Sequence, residues 1–163
     1  MNPKDIARLI TEDPNVLESV TLYKGLSLFS GYQSYKHGIG ERGVAIPGFL
    51  SSYHIARVYS QPTLTGDANE PSIIVEVKIN AHEIEDKTAE FIEWADARGQ
   101  RHDVSLGYPK EWRNGLIWTI NLPSGAHGGV SCFGESDFVF CGIEKPYTVI
   151  RHYDNQAEWE AEG

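Results

Sequence analysis

The chain has 163 residues, 40% of them hydrophobic and 23% charged, with 14 Lys and Arg against 23 Asp and Glu, a formal net charge of −9. That length suits one domain burying roughly 70% of the surface its unfolded chain exposes, so no metal or disulfide framework is required for folding. The acidity argues against a binder of nucleic acid or of anionic membrane, because such binding draws on Lys and Arg.

No cationic stretch followed by an apolar run opens the chain, and no run of about 18 apolar residues occurs in it, so a cytoplasmic protein without a signal peptide is expected. Asn2-Pro-Lys-Asp5 predicts a helix start, with Asn2 as N-cap and Pro3 at the first helical position. Ile6, Leu9 and Ile10 share a face of that helix, which should stop near Pro14. Val20-Thr-Leu-Tyr-Lys-Gly-Leu26 predicts a strand. Lys24 stands on it just before Gly25, where backbone bare of a side chain admits close approach.

Residues 27–47 are rich in Gly, Ser and Tyr and include Gly38-Ile-Gly-Glu-Arg-Gly43, a formal match to the dinucleotide fingerprint. That fingerprint needs a helix after it to hold phosphate at its N-terminus, and Val44-Ala-Ile-Pro47 follows instead. A loop is expected, with Tyr32 and Tyr35 available to cover a ligand. Phe49-Leu-Ser-Ser-Tyr-His-Ile-Ala-Arg-Val-Tyr-Ser60 predicts a strand end entering a helix, capped by Ser51 or Ser52, with Ile55, Val58 and Tyr59 inward and His54 and Arg57 solvated. One serine suffices as a cap, which leaves the other hydroxyl for a carboxylate or a ligand.

Residues 72–79 are apolar and β-branched enough for a central strand. Residues 81–99 predict a charged helix closed by Gly99, with Glu83, Glu85, Glu90 and Glu93 solvated. His82 and His102 have no partners at ligand spacing, so no metal is expected. Residues 107–115 read as a loop and 116–122 as a strand. Residues 138–141 predict a further strand, onto which 147–153 should pair back as a hairpin. Glu135 and Asp137 open the first of these strands two positions apart, which points both carboxylates to one side. Cys132 and Cys141 match no metal spacing; they could meet as a disulfide across the hairpin, but free buried thiols are the commoner case. Residues 155–163 read as an acidic tail, with Trp159 its one aromatic, that frays or docks weakly.

Three stations thus follow one another: Tyr23-Lys24-Gly25 on an early strand, Ser51-Ser52 before a helix, and Glu135-Ser136-Asp137 opening a late strand. Their order resembles the mono-ADP-ribosyltransferases of the Arg/Ser-Thr-Ser/Glu-x-Glu class found in bacterial toxins and bacteriophage enzymes. The likeness is fullest from Trp118-Thr-Ile-Asn-Leu-Pro-Ser-Gly through the acidic pair to Phe138-Val-Phe-Cys-Gly142 and Tyr147-Thr-Val-Ile150, and it covers residues 20–153. Three positions depart from the family pattern. Lys24 replaces an arginine whose planar fork grips the dinucleotide. Ser51-Ser52-Tyr53 keeps two of the usual hydroxyls, and Asp137 is shorter than glutamate by one methylene, about 1.5 Å of reach.

The resemblance implies a single α+β domain of two packed, mainly antiparallel sheets with flanking helices. Its core would be about residues 20–153, preceded by the helix of 1–14 and followed by the tail. It implies NAD as substrate in a cleft between sheets, no metal, and an acceptor protein as partner. Asp137 would stabilise the oxocarbenium ion formed when nicotinamide leaves the ribose, and Ser51 or Ser52 would orient that carboxylate. Tyr23, Lys24, Gly25 and Ser51 would hold NAD. Glu135 would act on the acceptor as general base, with arginine the first expectation, and Phe133 would touch the acceptor protein. Two alternatives remain open at this point: a degenerate member that binds or inhibits a partner through its acidic surface, and an NAD glycohydrolase.

Overall fold

In a computed structural model of the protein, residues 19–27, 48–64, 66–113, 115–120, 138–143 and 145–162 are described. In chain order they form β1 (Ser19–Leu26), β2 (Gly48–Ser51), α1 (Tyr53–Tyr59), β3 (Ser72–Asn80), β4 (Ile84–Asp86), α2 (Thr88–Ala97), β5 (Ile117–Thr119), β6 (Phe138–Cys141), β7 (Tyr147–Tyr153) and α3 (Gln156–Glu162). Strands of mixed direction with three α-helices among the described residues make the class α+β, as expected. The expected N-terminal helix and the loop with Tyr32 and Tyr35 lie outside the described residues. No helix among the described residues is long and apolar enough to cross a membrane.

The chain falls into two compact units, one built on Thr21–Lys78 with Glu144–Gly163 and the other on Ile79–Ile143. In the first, the strand order is β2-β1-β3-β7. β3 is the interior strand its composition predicted: Ile73, Ile74, Val75 and Val77 are fully buried, so both of its faces are covered. β7 runs antiparallel to it from Ser72↔Tyr153 to Val77↔Tyr147, with a register shift between Ile74 and Val75. β1 pairs antiparallel with β2 at Tyr23↔Ser51.

α1 lies against β1, and Gly25 permits this. A Cβ at Gly25 would stand 2.0 Å from the Ala56 carbonyl oxygen and 2.7 Å from the Ser60 nitrogen, contact no side chain can make. Ala56, Ile74 and Tyr153 form the core beneath, with Tyr23, Tyr53, Ile150 and Trp159 packed around them.

The second unit orders its strands β4-β5-β6, with β4 parallel to β5 at Ile84↔Ile117 and β5 antiparallel to β6 at Ile117↔Cys141. Its core is aromatic. Trp118, 1% exposed, stacks on Phe140 at 5.0 Å and meets Trp112 edge-on at 5.1 Å, and its Nε1–H donates to the Trp112 carbonyl at 3.2 Å. Phe91 of α2 closes the cluster from above, 6.5 Å from Trp112.

Two expectations are corrected here and a third is narrowed. The helix predicted over 81–99 is split. Residues 81–83 make a 3-10 turn, 84–86 form β4 and only Thr88–Ala97 is α-helical. Ile84 is buried while Glu85 and Asp86 are exposed, and pairing with β5 wins over the helix propensity of Glu85. Asp86 then accepts the Thr88 amide at 2.9 Å, which starts α2. The end is as predicted: Gly99 adopts φ +64 and Gln100 donates back to the Ala95 carbonyl.

The predicted hairpin is also absent, since β6 pairs with β5 and β7 with β3. Trp118↔Phe140 and Ile117↔Cys141 give β6 an apolar partner face, and the nine residues of β3 give β7 a six-position ladder. For the tail, finally, the structure removes one of the two expected outcomes: it docks and does not fray. α3 is docked by the Gln156 amide on the Ala68 carbonyl at 2.7 Å and by Gln156 Oε1, which accepts from the Thr63 amide and hydroxyl.

Candidate functional site

Two of the three predicted stations lie within the described residues, and both belong to the first unit. Glu135, Asp137 and the acceptor-contact candidate Phe133 lie outside the described residues, as does Cys132. Cys141 is buried, and its thiol donates to the Ile143 carbonyl at 3.2 Å.

The pairing Tyr23↔Ser51 brings the first two stations side by side, and directly opposed residues of an antiparallel ladder project to one face. That face is α1's. The Tyr23 ring meets the Tyr53 ring edge-on with centroids 5.5 Å apart and planes at 86°, and Gly25 touches the α1 backbone. The close approach that Gly25 allows is therefore filled by the helix. Lys24, one residue along, belongs to the other face of β1, which it shares with the buried Leu22 and Leu26. The four residues expected to hold the dinucleotide are thus divided, Tyr23, Gly25 and Ser51 on the helix face and Lys24 opposite.

Lys24 is a cation on an apolar face. Among the described residues its Nζ has one hydrogen-bond partner, the Phe49 carbonyl at 3.5 Å. Burial lowers its pKa from 10.5 to about 8, with no acid among the described residues to offset it. A charge so placed gains from any anion brought to it, because the cost of removing the ammonium from water is already borne by the fold.

The serine question is settled by hydrogen bonding. Ser52 has extended backbone and is the N-cap of α1, its hydroxyl accepting from the Ile55 amide at 3.5 Å. Ser51, 3% exposed, donates to the Ser52 carbonyl at 3.2 Å and so keeps its lone pairs. Its hydroxyl is the one that the helix cap does not use. No protein-family model, curated protein or solved structure matches this chain.

Around this corner the structure adds residues that the sequence reading passed over. Arg57, expected in solvent, has its side chain only 14% exposed. It lies 3.8 Å from the centroid of the Trp159 ring and 5.6 Å from that of Tyr153, and it donates to the Trp159 carbonyl. His54, on the same helix, is exposed as expected. Glu83, Glu85, Glu90 and Glu93 are all exposed, and His102 pairs with Asp96 at 2.7 Å. Among the described residues no three metal-ligating side chains converge. The signal that could have found Arg57 was Trp159, an isolated aromatic in an acidic segment.

Proposed function

We propose that the protein is an NAD-dependent mono-ADP-ribosyltransferase that modifies a protein side chain, arginine in the first instance. The observation that carries this reading is Lys24, a cation on the apolar face of β1 whose lowered pKa reflects a charge without an acid partner among the described residues. An ammonium so held suits the diphosphate of NAD. Support also comes from the adjacency of the two described stations across the β1/β2 ladder, as the resemblance of residues 20–153 implies.

In this reading the bond between nicotinamide and ribose C1′ breaks and nicotinamide leaves with the electron pair. Asp137 stabilises the oxocarbenium ion and Ser51 orients that carboxylate, since Ser52 is committed to the helix cap. The acceptor guanidinium nitrogen bonds to C1′ as Glu135 takes its proton, and Phe133 rests against the acceptor protein. Lys24 holds the diphosphate throughout.

The test is incubation of the protein with NAD and arginine-rich acceptor proteins, reading intact mass and free nicotinamide. The wild type should add ADP-ribose and release nicotinamide in equal amounts. Asp137→Ala should do neither, while Glu135→Gln should release nicotinamide without modifying the acceptor. Nicotinamide without a mass gain in the wild type makes the protein a glycohydrolase. Neither product at saturating NAD overturns the reading and leaves a binding protein.

A further inference from the structure

α3 is docked well before its last residues. Gln156 is bound to Thr63 and Ala68, and Trp159 donates from Nε1 to the Arg57 carbonyl at 2.9 Å and to Ser60 Oγ at 3.1 Å while its ring carries the Arg57 guanidinium. These contacts fix the helix on α1 without help from Glu162. Yet Glu162 is the most connected side chain of the tail. Its Oε1 accepts from the Tyr53 hydroxyl and its Oε2 from the Tyr153 hydroxyl, with Arg151 Nε at 3.4 Å and Arg57 Nε at 4.0 Å.

The far end of this set is the candidate site. Tyr53 directly follows the cap Ser52, and its ring abuts Tyr23, the residue paired with Ser51. The Ser51-Ser52-Tyr53 corner is therefore held by the ladder pairing of Ser51 with Tyr23, by the cap bond to Ile55, by the ring of Tyr23 and the Arg151 guanidinium against Tyr53, and at the Tyr53 hydroxyl by Glu162. The last comes from farthest away, 109 residues along the sequence.

The charge state suits a permanent clamp. Burial raises the Tyr53 and Tyr153 pKa values and the Glu162 contact raises them further, so both remain donors. Burial alone would push Glu162 up, but the hydrogen bonds from Tyr153 and Tyr53 and the charges of Arg151 and Arg57 outweigh it and hold the carboxyl below its ordinary value.

We infer that Glu162 is a positioning residue for the β1/β2 corner: through Tyr53 it fixes Tyr23 and the serine pair. The inference rests on the reading of that corner as part of the NAD site, and its test separates the two. Proteins labelled with 3-fluorotyrosine, as wild type, Glu162→Ala, Glu162→Gln and Trp159→Phe, are compared by fluorine NMR at Tyr23 and by steady-state kinetics with NAD.

Glu162→Ala should shift or broaden the Tyr23 signal and lower kcat for nicotinamide release about tenfold with KM nearly unchanged, as loss of an orienting contact does. Glu162→Gln, which keeps one acceptor oxygen for a tyrosine, should recover most of both. Trp159→Phe removes the two Nε1 hydrogen bonds but keeps an aromatic ring for Arg57 and the Gln156 contacts, so α3 stays docked with Glu162 in place, and the Tyr23 signal and kcat should be retained. An unmoved Tyr23 signal in folded Glu162→Ala overturns the inference, as does a Trp159→Phe protein that loses kcat equally. If Glu162→Ala does not fold, the same two readouts on Glu162→Gln decide, with a partial change expected and none refuting. A wild type inert toward NAD sinks the transferase reading, and the Tyr23 signal still decides the positioning.

Discussion

Replacing Lys24 by methionine should change how stability depends on pH. Burial lowers the Lys24 pKa from 10.5 to about 8 in the folded chain. Below pH 8 both folded and unfolded chains carry the proton, and the folded protein bears the whole cost of a buried ammonium. Between pH 8 and 10.5 the unfolded chain binds a proton that the folded chain lacks, so stability rises with pH across that window. At about 1.4 kcal/mol per pH unit, the interval from 10.5 to about 8 corresponds to about 3 kcal/mol. Urea unfolding at steps from pH 7.5 to 10.5 measures it, and subtracting the Lys24→Met curve removes every other titrating group. The wild type should gain on the variant as pH rises, and the variant should be the more stable at pH 7.5, because an apolar chain of similar length replaces a buried cation with no acid partner among the described residues. Saturating NAD should flatten the difference, since a bound diphosphate favours the charged amine. Parallel wild-type and variant curves would refute the placement of Lys24 on the apolar face.

Gly25→Ala should destabilise the protein by about 3 kcal/mol or more, measured by the same unfolding, because its methyl would meet the Ala56 carbonyl at 2.0 Å and that backbone belongs to a packed helix. Stability near wild type would mean that α1 does not rest on β1. The two serines should separate cleanly. Ser52→Ala should cost about 1 kcal/mol of stability as a lost N-cap and leave nicotinamide release nearly unchanged, whereas Ser51→Ala, which loses its bond to the Ser52 carbonyl, should cost a similar amount of stability and reduce nicotinamide release. Equal effects of the two on nicotinamide release would remove the distinction between cap and site.

What the sequence revealed followed from local rules. β1, β3, β6 and β7 were legible from runs of β-branched and apolar residues, and the strand-to-helix step at 49–60 from tandem serines before an apolar-spaced segment. β4 was not legible, because Ile84-Glu85-Asp86 is too short to show alternation and its helix-favouring Glu85 reads on into α2. Only Ile117 and its neighbours, more than 30 residues on, make it a strand. The false hairpin has the same root. A short turn after Cys141 suggests that neighbours in sequence pair, but the choice was decided by which surfaces were apolar: Trp118 for Phe140, and the long buried β3 for Tyr147–Tyr153. The tail read two ways because charge dominates its composition. Two of its residues, Gln156 and Trp159, do the docking, and neither forms a pattern that a local reading weighs.

The candidate site divides along the same line between local and distant information. The order of the stations along the chain was legible, but the neighbourhood of Lys24 and Ser51 was not, because it depends on the register Tyr23↔Ser51 in which β1 and β2 pair. Face membership was not read, although alternation within β1 dictates it. Tyr23, Lys24 and Gly25 cannot point one way, and α1 claims the side of the first and third. This narrows the chemistry. In the proposed reading a ligand of the early strand would meet the Lys24 ammonium on the leucine face, while Ser51 sits where β2 gives way to α1, at an edge rather than on the same wall. The corner between them is short and is built on two strands and one helix of seven residues, so its precision has to come from elsewhere. The Tyr23 ring supplies part of it from β1, and Glu162 adds to it from the far end of the chain.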